Sequence, residues 1–72
     1  MTKTEFLALC ISNNIPGDLV HFDNSVEDGY YVLKNYHRWE VFSRERGSDS
    51  ECMGFPTEND ALVYLSERLI HK

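Results

Sequence analysis

The fold of this 72-residue chain is decided by GYYVLKNYHRWEVFSRERGSDSECMGFPTENDALVYLSERL, residues 29–69. Near its start, Tyr30 to Lys34 is a run of aromatic and branched residues of the kind that favours β-strands. The segment Asn35-Tyr36-His37 links this run to a second one, Arg38 to Arg44. Together the two runs predict an antiparallel hairpin.

The second run sorts its side chains onto two faces, because successive residues of a strand alternate. One face carries the residues expected to pack against helices: Trp39, Val41 and Ser43. The other carries the residues expected to face solvent or a partner: Glu40, Phe42 and Arg44. Two interpretations of Phe42 stay open. It is either an exposed ring inside a polar rim, as in many interfaces, or a ring covered by a loop.

Downstream of the hairpin, Glu45 to Ser50 has the composition of a loop. Glu51 to Phe55 is then expected to form a further strand, interrupted or bent at Gly54. Thr57 follows and is positioned to cap a C-terminal helix. Helical spacing predicts one buried stripe along that helix: Ala61, Leu62, Leu65 and Leu69.

Upstream of the hairpin, Thr2 and Glu5 form a capping-box pattern that predicts a helix from about Lys3 to Asn13. Leu19 to Phe22 is expected to form a short strand. The whole pattern predicts a single α+β domain over residues 1–72. It has an N-terminal helix, a three- to four-stranded antiparallel sheet, and a C-terminal helix packed on one sheet face.

The chain is acidic, with twelve Asp and Glu residues against seven Lys and Arg, a net charge of −5. Such a charge opposes direct binding to nucleic acid. The most acidic stretch, residues 16–29, holds four carboxylates and no Lys or Arg: Asp18, Asp23, Glu27 and Asp28. An acidic surface steers a basic protein toward it, although charge runs are also common on solvated loops. We therefore expect a basic protein partner.

Neither a membrane span nor a secretion signal is evident, so we expect a cytoplasmic protein with no membrane partner. In a reducing compartment, Cys10 and Cys52 are expected to be packed as small hydrophobes, and any further role of theirs stays open. The histidines lack the close spacing of a metal site and are expected in loops or at the terminus: His21, His37 and His71. No metal or cofactor is expected.

One grouping of residue types would suit phosphodiester cleavage: His37, Arg38, Glu40 and Glu45. Strand alternation favours a simpler interpretation, since Glu40 shares a face with Arg38 and Arg44 and would form ion pairs on an exposed sheet. We therefore expect no catalytic residues and no enzymatic activity.

Four segments carry a resemblance to a known class of proteins: Asn13-Asn14-Ile15-Pro16, Gly29-Tyr30-Tyr31-Val32-Leu33, Trp39 to Gly47, and Phe55-Pro56-Thr57-Glu58-Asn59-Asp60-Ala61. In these segments the chain resembles small bacterial immunity proteins of polymorphic and contact-dependent growth inhibition systems. Such proteins neutralise a toxin made by the same cell. The resemblance implies an antitoxin that inhibits a cognate toxin domain stoichiometrically, with a basic nuclease as the leading candidate. It transfers no site residue.

The residues themselves suggest where such a toxin would bind. If the acidic stretch folds toward the outer face of the sheet, its carboxylates join the outward residues of the second strand in one patch. The predicted toxin-binding residues are Asp23, Glu27, Asp28, Glu40, Phe42, Arg44 and Glu45. The alternative function is that of a small acidic adaptor or regulatory protein binding a housekeeping partner.

Overall fold

The chain folds into an N-terminal helix, a four-stranded sheet and a C-terminal helix, which confirms the predicted α+β class. A computed structural model describes residues 1–70, and His71 therefore lies outside the described residues. In chain order the elements are α1 Lys3–Ser12, a short 3-10 turn Gly17–Leu19, β1 Val20–His21, β2 Gly29–Asn35, β3 Arg38–Glu45, β4 Ser48–Phe55 and α2 Glu58–Ile70.

The sheet has the strand order β1-β2-β3-β4 and is mixed rather than purely antiparallel. The prediction of an antiparallel sheet is wrong at β1, which pairs in parallel with β2 through Val20–Tyr30 and His21–Tyr31. A parallel pair requires the connecting chain to return to the edge where the first strand began. Because β1 has only two residues, the connecting chain has a short distance to cover, and residues 22–28 span it without forming a helix.

The turn between β3 and β4 is tighter than the sequence suggested. Only Arg46 and Gly47 separate the strands, so the loop expected from Glu45 to Ser50 is wrong, and β4 begins at Ser48. Arg46 has φ 52° and Gly47 has φ 81°. Positive φ at both central residues is the geometry of a type I′ turn, whose twist matches that of the flanking strands. A bulge then interrupts the β3–β4 pairing around Glu51, which has φ 56°.

The core lies between the helices and one face of the sheet, here called the inner face. Its fully buried side chains are Phe6, Val32, Val41, Ala61, Leu62 and Leu65. Trp39 is half-buried and packs against this cluster, so the predicted inward direction of Trp39 and Val41 is confirmed. The buried residues of α2 include all four of the predicted stripe.

Both predicted helix caps are confirmed. The Thr2 hydroxyl accepts a hydrogen bond from the Glu5 amide at 3.2 Å, and the Glu5 carboxylate accepts one from the Thr2 amide at 2.9 Å. That bond lowers the pKa of Glu5, because it stabilises the charged form. At α2, the Thr57 hydroxyl accepts from the Asp60 amide at 3.2 Å. Of the helices within residues 1–70, none has the length and apolar character needed to cross a bilayer.

Candidate interaction surface

The face of the sheet opposite the helices, here called the outer face, carries a small aromatic cluster of its own. Tyr31 of β2 and Phe42 of β3 are cross-strand partners with parallel rings, 5.2 Å between centroids. His21 of β1 stacks on Tyr31 at 4.9 Å. Tyr31 is fully buried and Phe42 is 7% exposed. Phe42 therefore lies on the predicted face, and of the interpretations left open the exposed ones are wrong, because Tyr31 and Arg44 cover the ring.

Arg44 covers this cluster. Its guanidinium carbon lies 4.6 Å from the ring centroid of Tyr31 and 5.4 Å from that of Phe42, within the range of cation–π contact. The same group makes a bidentate pair with Asp49 of β4, at 2.6 Å from Nε to Oδ1 and 3.2 Å from Nη2 to Oδ2. This pairing lowers the pKa of Asp49 and raises that of Arg44, because each charge stabilises the other.

Arg44 also reaches the connection between β1 and β2. Its Nη1 donates to the side-chain oxygen of Asn24 at 3.0 Å and to the backbone carbonyl of Ser25. These residues belong to the segment 22–28, here called the acidic loop. Arg44 thus connects the acidic loop to the outer face. Its guanidinium bonds to the loop, and the same group is held on the sheet by the aromatic rings and by Asp49.

The Tyr31 hydroxyl anchors the middle of the acidic loop from below. It lies 2.6 Å from the carbonyl oxygen of Glu27 and 3.0 Å from that of Ser25, both of which can accept its proton. The Ser25 hydroxyl is 3.1 Å from the Tyr31 hydroxyl and accepts a bond from the Glu27 amide at 3.0 Å. The two residues that flank Val26 are therefore both held by their backbones.

The end of the acidic loop is held as well. His21 Nε2 lies 3.1 Å from the Asp28 carbonyl oxygen, so the ring donates there, and the Asp28 carboxylate accepts from the Arg46 amide at 2.9 Å. Gly29 follows with φ 140°, and a Cβ at this position would lie 2.6 Å from the Leu19 carbonyl oxygen. Glycine is needed here, because any side chain would push β1 and β2 apart.

Val26 stands out on this fixed loop. Its side chain is 91% exposed, although the residues on either side are anchored. Around it lie the exposed carboxylates of Asp23, Glu27 and Asp28. Within residues 1–70 none of the three pairs with a Lys or Arg; Glu27 alone approaches a basic group, His21 Nδ1 at 3.8 Å. The acidic loop therefore exposes one large apolar residue, Val26, in a segment that carries three exposed carboxylates.

The structure brings some of the predicted site residues together and separates others. Asp23, Glu27 and Asp28 share the acidic loop. The exposed Glu45 ends β3, next to Arg46, whose amide donates to the Asp28 carboxylate. Glu40 lies four residues from Arg44 along β3, roughly 13 Å away at the strand rise. It accepts from Asn35 at 3.1 Å and lies 3.6 Å from Arg38, so the predicted ion pair on the sheet is confirmed.

Sequence reasoning missed Val26 because a lone valine beside serine and glutamate gives no periodic signal. The remaining reactive residues also differ in part from expectation. Cys10 is buried, which raises the pKa of its thiol, whereas Cys52 is exposed, so its predicted packing is wrong. His37 lies in a turn as predicted, but His21 belongs to β1. Among the 70 described residues, no three His, Cys, Asp or Glu side chains are grouped to hold a metal ion.

Comparison with protein-family models, with curated proteins and with solved structures finds no match for this chain. The candidate site therefore rests on its own geometry: an acidic loop held against the outer face, with Val26 at its exposed centre.

Proposed function

We propose that this chain is an immunity protein that binds a cognate bacterial toxin domain and inhibits it one to one, without catalysis. The leading candidate for the toxin is a basic nuclease, and the place of action is the cytoplasm of the cell that makes the toxin. One observation supports this most: the acidic loop is held at Ser25 and Glu27 while it exposes Val26 in a segment whose carboxylates form no ion pair with Lys or Arg within residues 1–70.

Charge supports a basic partner. The chain carries a net charge of −5, and the acidic loop adds a local concentration of carboxylates. A nuclease binds phosphates with Lys, Arg or His side chains, and carboxylates are the protein groups that pair with the same cations. A loop with Asp23, Glu27 and Asp28 would occupy those cations and exclude the substrate, and long-range attraction would speed the encounter.

Rigidity supports tight inhibition. A loop that is ordered before binding loses little conformational entropy when it docks, so more of its contact energy is available as affinity. Tyr31 and Arg44 supply this order by holding the carbonyl groups of Ser25 and Glu27. Val26 is then the apolar anchor, since buried apolar groups near the centre of an interface, surrounded by polar contacts, tend to carry most of the binding energy.

This proposal assigns direct contact to fewer of the predicted site residues, and Glu40, Phe42, Arg44 and Glu45 are not among them. Arg44 acts by supporting the acidic loop, because its guanidinium bonds to the loop and to Asp49, and Phe42 acts through Arg44, because its 7% exposed ring lies against that guanidinium. Glu40 belongs to the other end of the sheet, paired with Arg38. The direct contacts are assigned to Asp23, Val26, Glu27 and Asp28.

The test asks whether the gene directly upstream encodes a toxin-like domain, and measures binding of this chain to that domain by calorimetry and by inhibition of its nuclease activity. We expect one-to-one binding. The variants Val26→Asp and Glu27→Lys should each weaken it at least about tenfold, since loss of an anchor contact commonly costs more than 1 kcal/mol. The matched control Glu67→Lys reverses an exposed charge on α2 and should bind as the wild type does.

Equal weakening by Glu67→Lys would mean that net charge matters and the loop does not. Capture of a housekeeping protein from the native cell through the same loop, with no binding to the upstream product, would overturn the proposal in favour of the acidic adaptor. Turnover of a nucleic acid by the purified chain would overturn the non-catalytic assignment.

A further inference from the structure

A second exposed surface lies at the opposite end of β2, around the turn to β3. Tyr36 in this turn is 89% exposed and has φ 59°, a left-handed conformation that is rare for a bulky residue. Beside it is an open groove of about 660 Å³, here called the hairpin groove. Its walls include Tyr36 and His37 from the turn, Arg38 at the start of β3, Phe55 at the end of β4 and Pro56 after it.

The hairpin groove is apolar and cationic. Arg38 is the charged residue among those that line it, and none of the lining residues is a carboxylate. The Arg38 guanidinium extends over Gly54, where a Cβ would come within 3.2 Å of its central carbon. The absence of a side chain at Gly54 therefore keeps the base of the groove open to Arg38. The Arg38 side chain stays 64% exposed although Glu40 is 3.6 Å away.

The two ends of the molecule are complementary. Val26 at 91% and Tyr36 at 89% are the most exposed large hydrophobic residues among those described. Val26 shares the acidic loop with three carboxylates, whereas Tyr36 lines the hairpin groove together with Arg38. The seven residues of β2 separate these ends by roughly 23 Å at the strand rise, so a single molecule cannot join them.

We propose that the hairpin groove of one molecule binds the acidic loop of a second copy, with Val26 beside Tyr36 and Glu27 close to Arg38. The two surfaces differ, so the contact is head-to-tail and each dimer keeps one free loop and one free groove. Short rows form as the concentration rises. An occupied loop cannot meet another partner, so self-association and the proposed toxin binding compete for it.

The strength of this association is expected to depend on the salt concentration. Molecules with a net charge of −5 repel one another at low salt. At 0.15 M the Debye length is about 8 Å, well below the 28 Å long dimension of the molecule. Whole-molecule repulsion is then largely screened, whereas an ion pair in direct contact is screened less. Association should therefore be measured near physiological salt.

The test is sedimentation velocity of the purified chain from about 10 μM to 1 mM at this salt. The wild type should show a sedimentation coefficient that rises with concentration. Val26→Ser and Tyr36→Asn should each weaken association about tenfold or more, as expected for the loss of a central anchor. Asparagine suits the left-handed conformation at Tyr36, so that variant keeps its fold. Ile11→Ser, which removes an apolar residue that is 77% exposed on α1, should associate as the wild type does.

An equimolar mixture of the two weakened variants is the decisive experiment. Val26→Ser retains a working groove and Tyr36→Asn retains a working loop, so the mixture should form dimers and nothing larger. A monomeric wild type at 1 mM, a monomeric mixture, or dimers that persist in each variant alone would overturn the inference. None of these measurements uses the toxin, so the proposed function can stand if the inference fails, and Tyr36→Asn should still bind the toxin.

Discussion

The two faces of the sheet are covered in different ways. On the inner face, Val32 and Val41 are buried under side chains from two helices, and the contacts are apolar. On the outer face, the rings of Tyr31 and Phe42 stack on each other and lie against the guanidinium of Arg44, and the Tyr31 hydroxyl bonds to the backbone of an irregular loop. The inner face resembles an ordinary hydrophobic core, whereas the outer cluster depends on polar groups that hold its cover in place.

The inner face therefore supplies most of the stability of the fold, whereas the outer face holds the acidic loop in position. The helices bury apolar area, which is the main favourable contribution to folding. Phe22 at the start of the acidic loop packs against the core cluster, but the other large apolar residue of the loop, Val26, is exposed, so packing does not hold residues 23–28. Tyr31 and Arg44 hold its backbone instead. Because polar bonds contribute less net free energy than apolar burial, we expect the loop to open more easily than the core.

The largest effect is expected on the inner face. Leu65 of α2 is fully buried, so Leu65→Ala should lower the free energy of unfolding by about 2 to 5 kcal/mol. A chain of this length has a total stability of roughly 4 to 11 kcal/mol, so this substitution should remove a large share of it. Chemical denaturation followed by circular dichroism measures the change. The exposed neighbour Glu67→Ala is the control, and similar losses from both would contradict the placement of the core.

A smaller but clear loss of stability is expected on the outer face. Phe42→Ala should cost about 3 kcal/mol, because it removes a buried ring from between Tyr31 and Arg44. Phe42→Leu keeps most of the volume and should cost less than about 1.5 kcal/mol. Denaturant titration distinguishes the two. A wild-type stability for the alanine variant would show that the outer ring is not covered in solution.

Tyr31→Phe keeps the ring and removes the hydroxyl that holds the acidic loop. Global stability should fall by about 1 kcal/mol, because the carbonyl groups of Ser25 and Glu27 lose a donor. The local effect should be larger: the protection factors of amides 24–28 in hydrogen exchange should drop while those of the helices hold. Tyr64→Phe makes the same chemical change on the inner face and should leave the loop unchanged. Uniform loss of protection across the chain would contradict a locally held loop.

The smallest effect concerns pH. Pairing with Arg44 lowers the pKa of Asp49, so the pair contributes stability above the ordinary aspartate pKa of about 3.9. That contribution disappears as the pH falls through the lowered value. Thermal midpoints measured from pH 7 to pH 2 should therefore fall less steeply for Asp49→Asn than for the wild type. Glu5→Gln should also flatten the acid limb, since its pKa is lowered at α1, but without loosening the acidic loop. Equal slopes for Asp49→Asn and the wild type would mean that the pair is absent in solution.

Several local features could be predicted from the sequence. The helix caps are one example, because each joins residues only three positions apart: Thr2 with Glu5, and Thr57 with Asp60. The order of residue types was therefore enough to predict them. Alternation along β3 likewise predicted the direction of Trp39, because a strand offers only two directions. The type I′ turn at Arg46-Gly47 was not predicted, although local sequence could have indicated it, since glycine at the second turn position is typical of such turns.

The sequence by itself therefore determined the helices, their caps, the hairpin and the acidic character of the chain, because each depends on near neighbours or on composition. The tertiary structure decided the parallel pairing of β1, the burial of Phe42 and the exposure of Val26. Those outcomes depend on contacts between distant residues: Arg44 reaches Asn24 across 20 positions and Ser25 across 19. Alternation assigns Phe42 to a face, but whether that face is open depends on where another segment of the chain comes to rest.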